Sequence, residues 1–312
     1  MRRLFLKVFL GALFSAAFMA SSHAGYNPKV LRIGFQKSAS VLTLIKARGT
    51  LEKRFSPSGI EVKWIEFPAG PQMLEGLNIG AIDIGYVGEA PPIFAQAAGA
   101  DFVYVAYEGS SPGAEALLAR KDSPINEVRE LKGKKIALNK GSNVHYFLVK
   151  LLEKNGLKYS DIQPVFLAPA DARAAFERGS VDAWVIWDPY AAASEKQIGA
   201  RVLSDATGVV KNYAYFLAER TFATKSADTL AQLFEELRKE GEWVNRNHKE
   251  ASLRVAPLQG LDEDIVEKTL RHYSNVFKPI TDSVLTEQQE LADVFFELKL
   301  IPKPIKVKDA LP

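Results

Sequence analysis

The spacing of apolar positions predicts a strand–loop–helix unit that recurs along the chain. Val30 to Gly34 reads as an apolar strand, Phe35-Gln36-Lys37-Ser38 as a short connection, and Val41, Leu42 and Ile45 as one face of a helix. Val62 to Phe67 is the next strand. In the stretch Phe67 to Phe94, Gly70-Pro71 supplies a helix start, Met73, Leu74 and Leu77 share a face, and Gly80 stands where a terminating glycine belongs. Ile82 and Ile84 make a short strand, Gly85 to Glu89 a loop, and Pro91-Pro92 opens another helix. Phe102 to Ala106 is a continuous apolar run of the kind buried inside parallel sheets.

After the EGSSPG linker, Glu108 to Gly113, the pattern resumes. Strands are predicted at Ala116 to Ala119, Lys135 to Leu138, Val165 to Leu167 and Val181 to Trp187, with a short helix within Ser123 to Leu131. Val144, Phe147, Leu148, Leu151 and Leu152 mark the buried face of a helix that stops at Gly156. Asp188-Pro189 starts another helix, and Tyr213 to Ala218 is a strand that carries the chain back. Helices then follow over Ser226 to Asn247, Leu261 to Arg271 and Thr286 to Leu298, and the Lys/Pro-rich tail from Pro302 is expected to be loose.

The unit around the first corner returns ninety-nine residues later: Phe67, Ala69, Gly80, Ile82, Asp83 and Glu89 align with Phe166, Ala168, Gly179, Val181, Asp182 and Asp188. This repetition predicts an α/β protein of two similar lobes, 25–111 with 216–312 and 112–215. In open α/β sheets, strand ends and helix starts leave backbone N–H groups pointing into a crevice, where an anion can settle.

Composition changes the picture at the amino terminus. Arg2, Arg3 and Lys7, the apolar run Val8 to Ala20 and Ser22-His23-Ala24 have the form of a signal peptide, predicting export with cleavage after Ala24. The apolar run is about thirteen residues, short of the roughly twenty a spanning helix needs. Of 40 Lys+Arg, three lie in this leader, leaving 37 against 37 Asp+Glu. A neutral chain gives no reason to expect nucleic-acid binding. The absence of cysteine rules out disulfides and a lipoprotein attachment site, and suits a bacterial periplasm.

No catalytic signature emerges. The four histidines lack metal-ligand spacing, and there is no HExxH, GxSxG, Walker loop or GxGxxG. No cofactor is expected. The candidates for chemistry are four corner loops, Gln36 to Ser40, Gly85 to Ala90, Lys140 to His145 and Trp187 to Tyr190, each preceding a helix. Their serine, asparagine and backbone N–H groups can hold an oxyanion, with Trp187 and Tyr190 walling an apolar tail. Each also has a purely structural reading: Ser142 and Asp188 as helix caps, Gln36 as a solvated side chain, His145 as a core or surface residue, Glu89 as a helix-dipole partner.

The segments LRIGFQK, FPAGPQMLE, PPIFAQAAGADFVYV and DIQPVFLAPADARAAFERGSVDAWVIWDPY resemble the periplasmic aliphatic sulfonate-binding proteins of ATP-binding cassette importers, from about Leu31 to Val202. The resemblance implies a type II periplasmic-binding-protein fold, two α/β lobes closing on a sulfonate, and a monomer that hands its ligand to a membrane permease. It places Gln36, Gly88, Glu89, Ser142, Asn143, His145, Trp187, Asp188 and Tyr190 around the ligand, and Tyr86, which departs from the family pattern, is a further candidate. Taurine, a sulfate ester, nitrate or a pyrimidine precursor are the alternative ligands, and a lyase or hydrolase using Glu89 or Asp188 with His145 is the alternative activity. The family's corner G-[SA]-T-G-D-I-P-P is here Gly85-Tyr86-Val87-Gly88-Glu89-Ala90-Pro91-Pro92, and K-G-S-S-S-H is Lys140-Gly141-Ser142-Asn143-Val144-His145. Facing the cleft, Tyr86 would take the volume of a longer alkyl tail and offer its hydroxyl to a polar ligand. Strand alternation equally allows it to face away.

Overall fold

The computed structural model describes residues 28–312. The signal-peptide and cleavage expectations therefore lie outside the described residues. In chain order the strands are β1 (Val30–Phe35), β2 (Glu61–Glu66), β3 (Ile84–Gly88), β4 (Val103–Glu108), β5 (Glu115–Ala119), β6 (Lys135–Leu138), β7 (Gln163–Phe166), β8 (Ala183–Trp187), β9 (Arg201–Asp205), β10 (Ala214–Ala218) and β11 (Phe277–Lys278). The helices are α1 (Ser40–Arg48), α2 (Thr50–Phe55), α3 (Gly70–Asn78), α4 (Ala90–Ala97), α5 (Asn143–Lys154), α6 (Pro169–Glu177), α7 (Tyr190–Ile198), α8 (Arg220–Lys225), α9 (Ala227–Arg246), α10 (His248–Gln259), α11 (Glu263–His272) and α12 (Asp282–Glu297).

Two mixed sheets result, ordered β11-β4-β10-β3-β1-β2 and β7-β6-β8-β5-β9. In the first, β1 runs parallel to β2 and β3, while β10 lies antiparallel between β3 and β4. The second repeats the plan: β6 is parallel to β7 and β8, and β5 lies antiparallel between β8 and β9. Each sheet thus takes one strand that has just crossed from the other. The start of α3 at Gly70 and of β3 at Ile84 recur at Pro169 and Ala183, the ninety-nine-residue offset seen in the sequence. Both faces of the first sheet are covered, one by α1, α2 and α9 to α11, the other by α3, α4, α12 and the carboxyl-terminal tail. A third apolar cluster centres on Trp184, Phe147 and Phe176 in the second sheet.

Four details differ from the sequence reading. Gly85 to Gly88 is strand, not loop, because β3 is hydrogen-bonded on both sides and its neighbours override glycine's weak preference. The glycine at 85 admits α3, since a Cβ there would stand 2.6 Å from the Met73 sulfur. The helix expected within Ser123 to Leu131 is one 3₁₀ turn, Val128–Leu131. The tail is packed: Ile301, Val307 and Ala310 are buried, and the Arg220 guanidinium donates to the Leu311 carbonyl at 2.8 Å. Finally, α2, α8, α10, β9 and β11 went unpredicted, and β10 pairs with the first sheet from Ala214 onward.

Candidate functional site

All four predicted corner loops meet at one buried pocket between the sheets. Gln36, Ser38, Tyr86 and Gly88 come from the ends of β1 and β3, Asn143 from the start of α5, and Trp187 from the end of β8. The crossing segments add Ser111, Asn212 and Ala214, and Tyr273 follows α11. In this closed arrangement the pocket is about 20 Å³, room for about one water. Gly88 and Asn143 close it: a Cβ at Gly88 would lie 2.9 Å from the Cβ, Cγ and Oδ1 of Asn143. Only glycine permits that approach.

The lining is polar yet holds no Lys, Arg or His. Its donors are amide, hydroxyl, indole and backbone groups, and α5 begins with no side chain capping its amides. Gln36 Nε2 donates to the Tyr86 carbonyl at 3.0 Å. Asn143 Nδ2 donates to Glu115 and, at 3.1 Å, to Asn212 Oδ1, while Asn212 Nδ2 donates to the Ser111 carbonyl at 2.8 Å. One asparagine thus joins the corner of α5 to both crossing segments.

Behind this lining stand buried carboxyls. Burial raises Glu108, against the opposing donors Tyr86, Asn275 and Ser274. Burial, then the charge of Glu89, pushes Glu115 well above the usual carboxylate range. Glu89 is pushed up to about 8 by burial, opposed by the Tyr213 N–H that its Oε2 accepts at 2.9 Å. A carboxyl moved upward in this way is neutral more of the time and repels an incoming anion less.

Five predicted residues do not line the pocket. Ser142 is buried and its hydroxyl donates to the Asn139 carbonyl at 2.7 Å, so it neither caps α5 nor faces the pocket. His145 is enclosed: Nδ1 accepts the Gly141 N–H, Nε2 meets the Tyr159 hydroxyl, and Phe94 stacks on its ring with centroids 6.2 Å apart. Burial pushes it down to about 4, leaving it neutral. It packs the second lobe against Phe94 and Phe295 of the first. The Glu89 side chain turns to Tyr213, away from the lining. Asp188 accepts the Ala192 N–H at 2.9 Å and meets His272 Nδ1 at 2.6 Å, tying β8 to α11. Tyr190 stands behind Trp187, edge to face at 6.2 Å. Tyr86 lies at the floor, but its hydroxyl donates to Glu108 and its ring packs on Phe216, so it has no donor to spare for a ligand.

Ser38, Ser111, Asn212 and Tyr273 were missed. Ser38 lay inside a predicted loop and was passed over as a helix start. Asn212 has a left-handed backbone, φ 52°, a conformation asparagine tolerates, but nothing in the sequence marks that. Among the described residues there is no group of three or more His, Asp or Glu able to hold a metal, and no helix long and apolar enough to cross a membrane. A mainly apolar hollow of about 350 Å³ lies between α3 and α4, but only Lys140 and Gly141 of the corner loops reach it.

The chain is similar to several known proteins. Residues 24–257 match the NMT1-like family. A candidate aliphatic sulfonates-binding protein of Escherichia coli (strain K12) is 43% identical over 98% of this chain and 95% of its own. Its counterpart in Bacillus subtilis (strain 168) is 36% identical over 91% and 86%. The alkanesulfonate-binding protein SsuA from Xanthomonas axonopodis pv. citri, solved bound to MOPS, superposes with a TM-score of 0.88 at 41% identity, covering 92% of this chain and 99% of that one.

Proposed function

The chain belongs to the NMT1-like family, and on that ground we propose that it is an exported solute-binding protein that captures an aliphatic sulfonate for an ATP-binding cassette importer. It is a binding protein, not an enzyme. The observation that carries the reading is the pocket between the sheets, lined by neutral donors and free of cationic side chains. A sulfonate stays ionised at any biological pH, so it needs no titrating partner, and its three oxygens accept hydrogen bonds from N–H and O–H groups. Gln36, Ser38, Trp187 and the backbone amides of Gly88 and Asn143 supply those groups, and relatives named for aliphatic sulfonates support the ligand class.

A pocket this small does not admit a sulfonate unless the lobes part. The crossings between β4 and β5 and between β9 and β10 are the hinge, and ligand contact with both sheets favours closure, because only differential affinity shifts such an equilibrium. The leader directs export to the periplasm with cleavage after Ala24, and the closed monomer presents its ligand to the permease. Native mass spectrometry of the full chain, expressed with its leader and taken from the periplasm, tests the reading. An organosulfonate carried one per chain is expected, and a carried nitrate, sulfate or pyrimidine would overturn it.

A further inference from the structure

Two buried acids on different lobes have no role in holding a sulfonate, and the charge of Glu89 acts on Glu115. Glu89 follows β3 in the first sheet and Glu115 opens β5 in the second. They are 4% and 0% exposed, and neither forms an ion pair among the described residues. Each has one satisfied oxygen: Glu89 Oε2 accepts the Tyr213 N–H, and Glu115 Oε1 accepts from Asn143. The other oxygens, Glu89 Oε1 and Glu115 Oε2, are buried without a partner. Asn143, which links Glu115 to the pocket, also meets the Gly88 backbone immediately before Glu89.

Two buried like charges that act on one another cannot both remain ionised at low cost. Nearby charge does not relieve them. On α12 stand Glu287 and Glu290, and Glu108 ends β4; these add negative charge. Lys150 on α5 and Lys211 before β10 line the outer side of Glu89, but Lys150 is paired with Glu153. Tyr146, Tyr213 and Tyr273 surround the pair as neutral phenols raised by burial. A monoanion seated beside Asn143 adds a further negative charge.

We propose that the lobes close on the anion together with one proton, held by the Glu89–Glu115 pair. The proposal rests on the sulfonate-binding reading above. When the lobes part, the two acids separate with their sheets, water reaches them, and the proton is released as the anion leaves. The direction follows from linkage. The closed form binds the extra proton, so affinity is greatest at acid pH and falls as pH rises from the ordinary carboxylate range toward the raised closed value, about 8 for Glu89.

The test is titration calorimetry of the full processed chain with butanesulfonate at pH 7, in cacodylate and in imidazole, neither of which is a sulfonate. The difference in heat between the buffers gives the protons taken up per anion. Uptake approaching one proton is expected, with Kd rising roughly tenfold per pH unit between pH 6.5 and 7.5. Glu115→Gln should abolish the uptake and flatten the pH dependence, and Glu89→Gln provides the same reading should the first variant fold poorly. Binding of butanesulfonate with no proton uptake by the wild type overturns the coupling and leaves the sulfonate reading standing. So does uptake unchanged in both variants. No binding of butanesulfonate at any pH overturns both.

Discussion

Adding one methyl group at Gly88 should break ligand binding while leaving the fold intact. The Cβ of Gly88→Ala would meet three atoms of Asn143 at 2.9 Å, well inside ordinary van der Waals contact. The backbone at Gly88 is not in the left-handed region, so no conformational strain is added. Two of the three atoms are the Cβ and Cγ of Asn143, set close to the start of α5, so no rotation of a distant side-chain end removes the clash. Overpacking of this kind costs about 1–3 kcal/mol. Because Gly88 and Asn143 sit on different lobes, the cost falls on the closed form alone and translates to about 5- to 150-fold weaker binding. The assay is calorimetric Kd for an alkanesulfonate, beside the thermal midpoint of ligand-free protein, which should stay at the wild-type value. Asn143→Ala removes Cγ and Oδ1, so in that background the added methyl should cost less, with a coupling of about 0.5 kcal/mol or more. Wild-type affinity in Gly88→Ala, or an equal loss in both backgrounds, would refute the reasoning.

Two further outcomes follow from the packing. His145, neutral and pushed down to about 4 where an unfolded histidine titrates near 6.5, contributes stability that is fully present above about pH 6.5 and is lost as pH falls toward 4. Between pH 6.5 and 5 that share is about 2 kcal/mol, so His145→Gln should show a urea-unfolding free energy that falls by about that much less over the same interval; an equal fall contradicts it. Deleting residues 302–312 removes the buried Val307 and Ala310 and the carbonyls that Arg220 holds, so the thermal midpoint should fall by several degrees, consistent with about 1.5–3 kcal/mol for a buried valine alone. An unchanged midpoint would mean the tail is loose after all.

Much of the architecture was legible because local signals agreed with the fold. Gly80 and Gly179 both adopt positive φ just past a helix, at 72° and 74°, and the apolar strands after them sit in equivalent positions of the two sheets. The candidate pocket was legible only in part. Gln36, Gly88, Asn143 and Trp187 follow from the rule that strand ends and helix starts line the crevice. The direction of a side chain does not follow from that rule. His145 and Ser142 occupy the correct corner yet turn into the protein, because α5 packs that face on Phe94 and Phe295 of the other lobe. Tyr86 was ambiguous in the sequence because strand alternation allows either face; its hydroxyl goes to Glu108, twenty-two residues away. Ser111, Asn212 and Tyr273 reach the pocket through pairings distant in sequence, which local pattern does not report. The tail failed for the opposite reason: its lysines and prolines suggested solvent, while three spaced apolar residues decided its packing.

A pocket of neutral donors, closed by Gly88 against Asn143, is proposed to select the sulfonate. Titration calorimetry of ligand-free protein with butanesulfonate, taurine, sulfate and nitrate, in a buffer free of sulfonates, tests it most directly. One site per chain is predicted, with butanesulfonate bound at least about tenfold more tightly than sulfate or nitrate, a margin of about 1.4 kcal/mol. Preferential binding of sulfate or nitrate, or no heat with butanesulfonate and taurine alike, would contradict it.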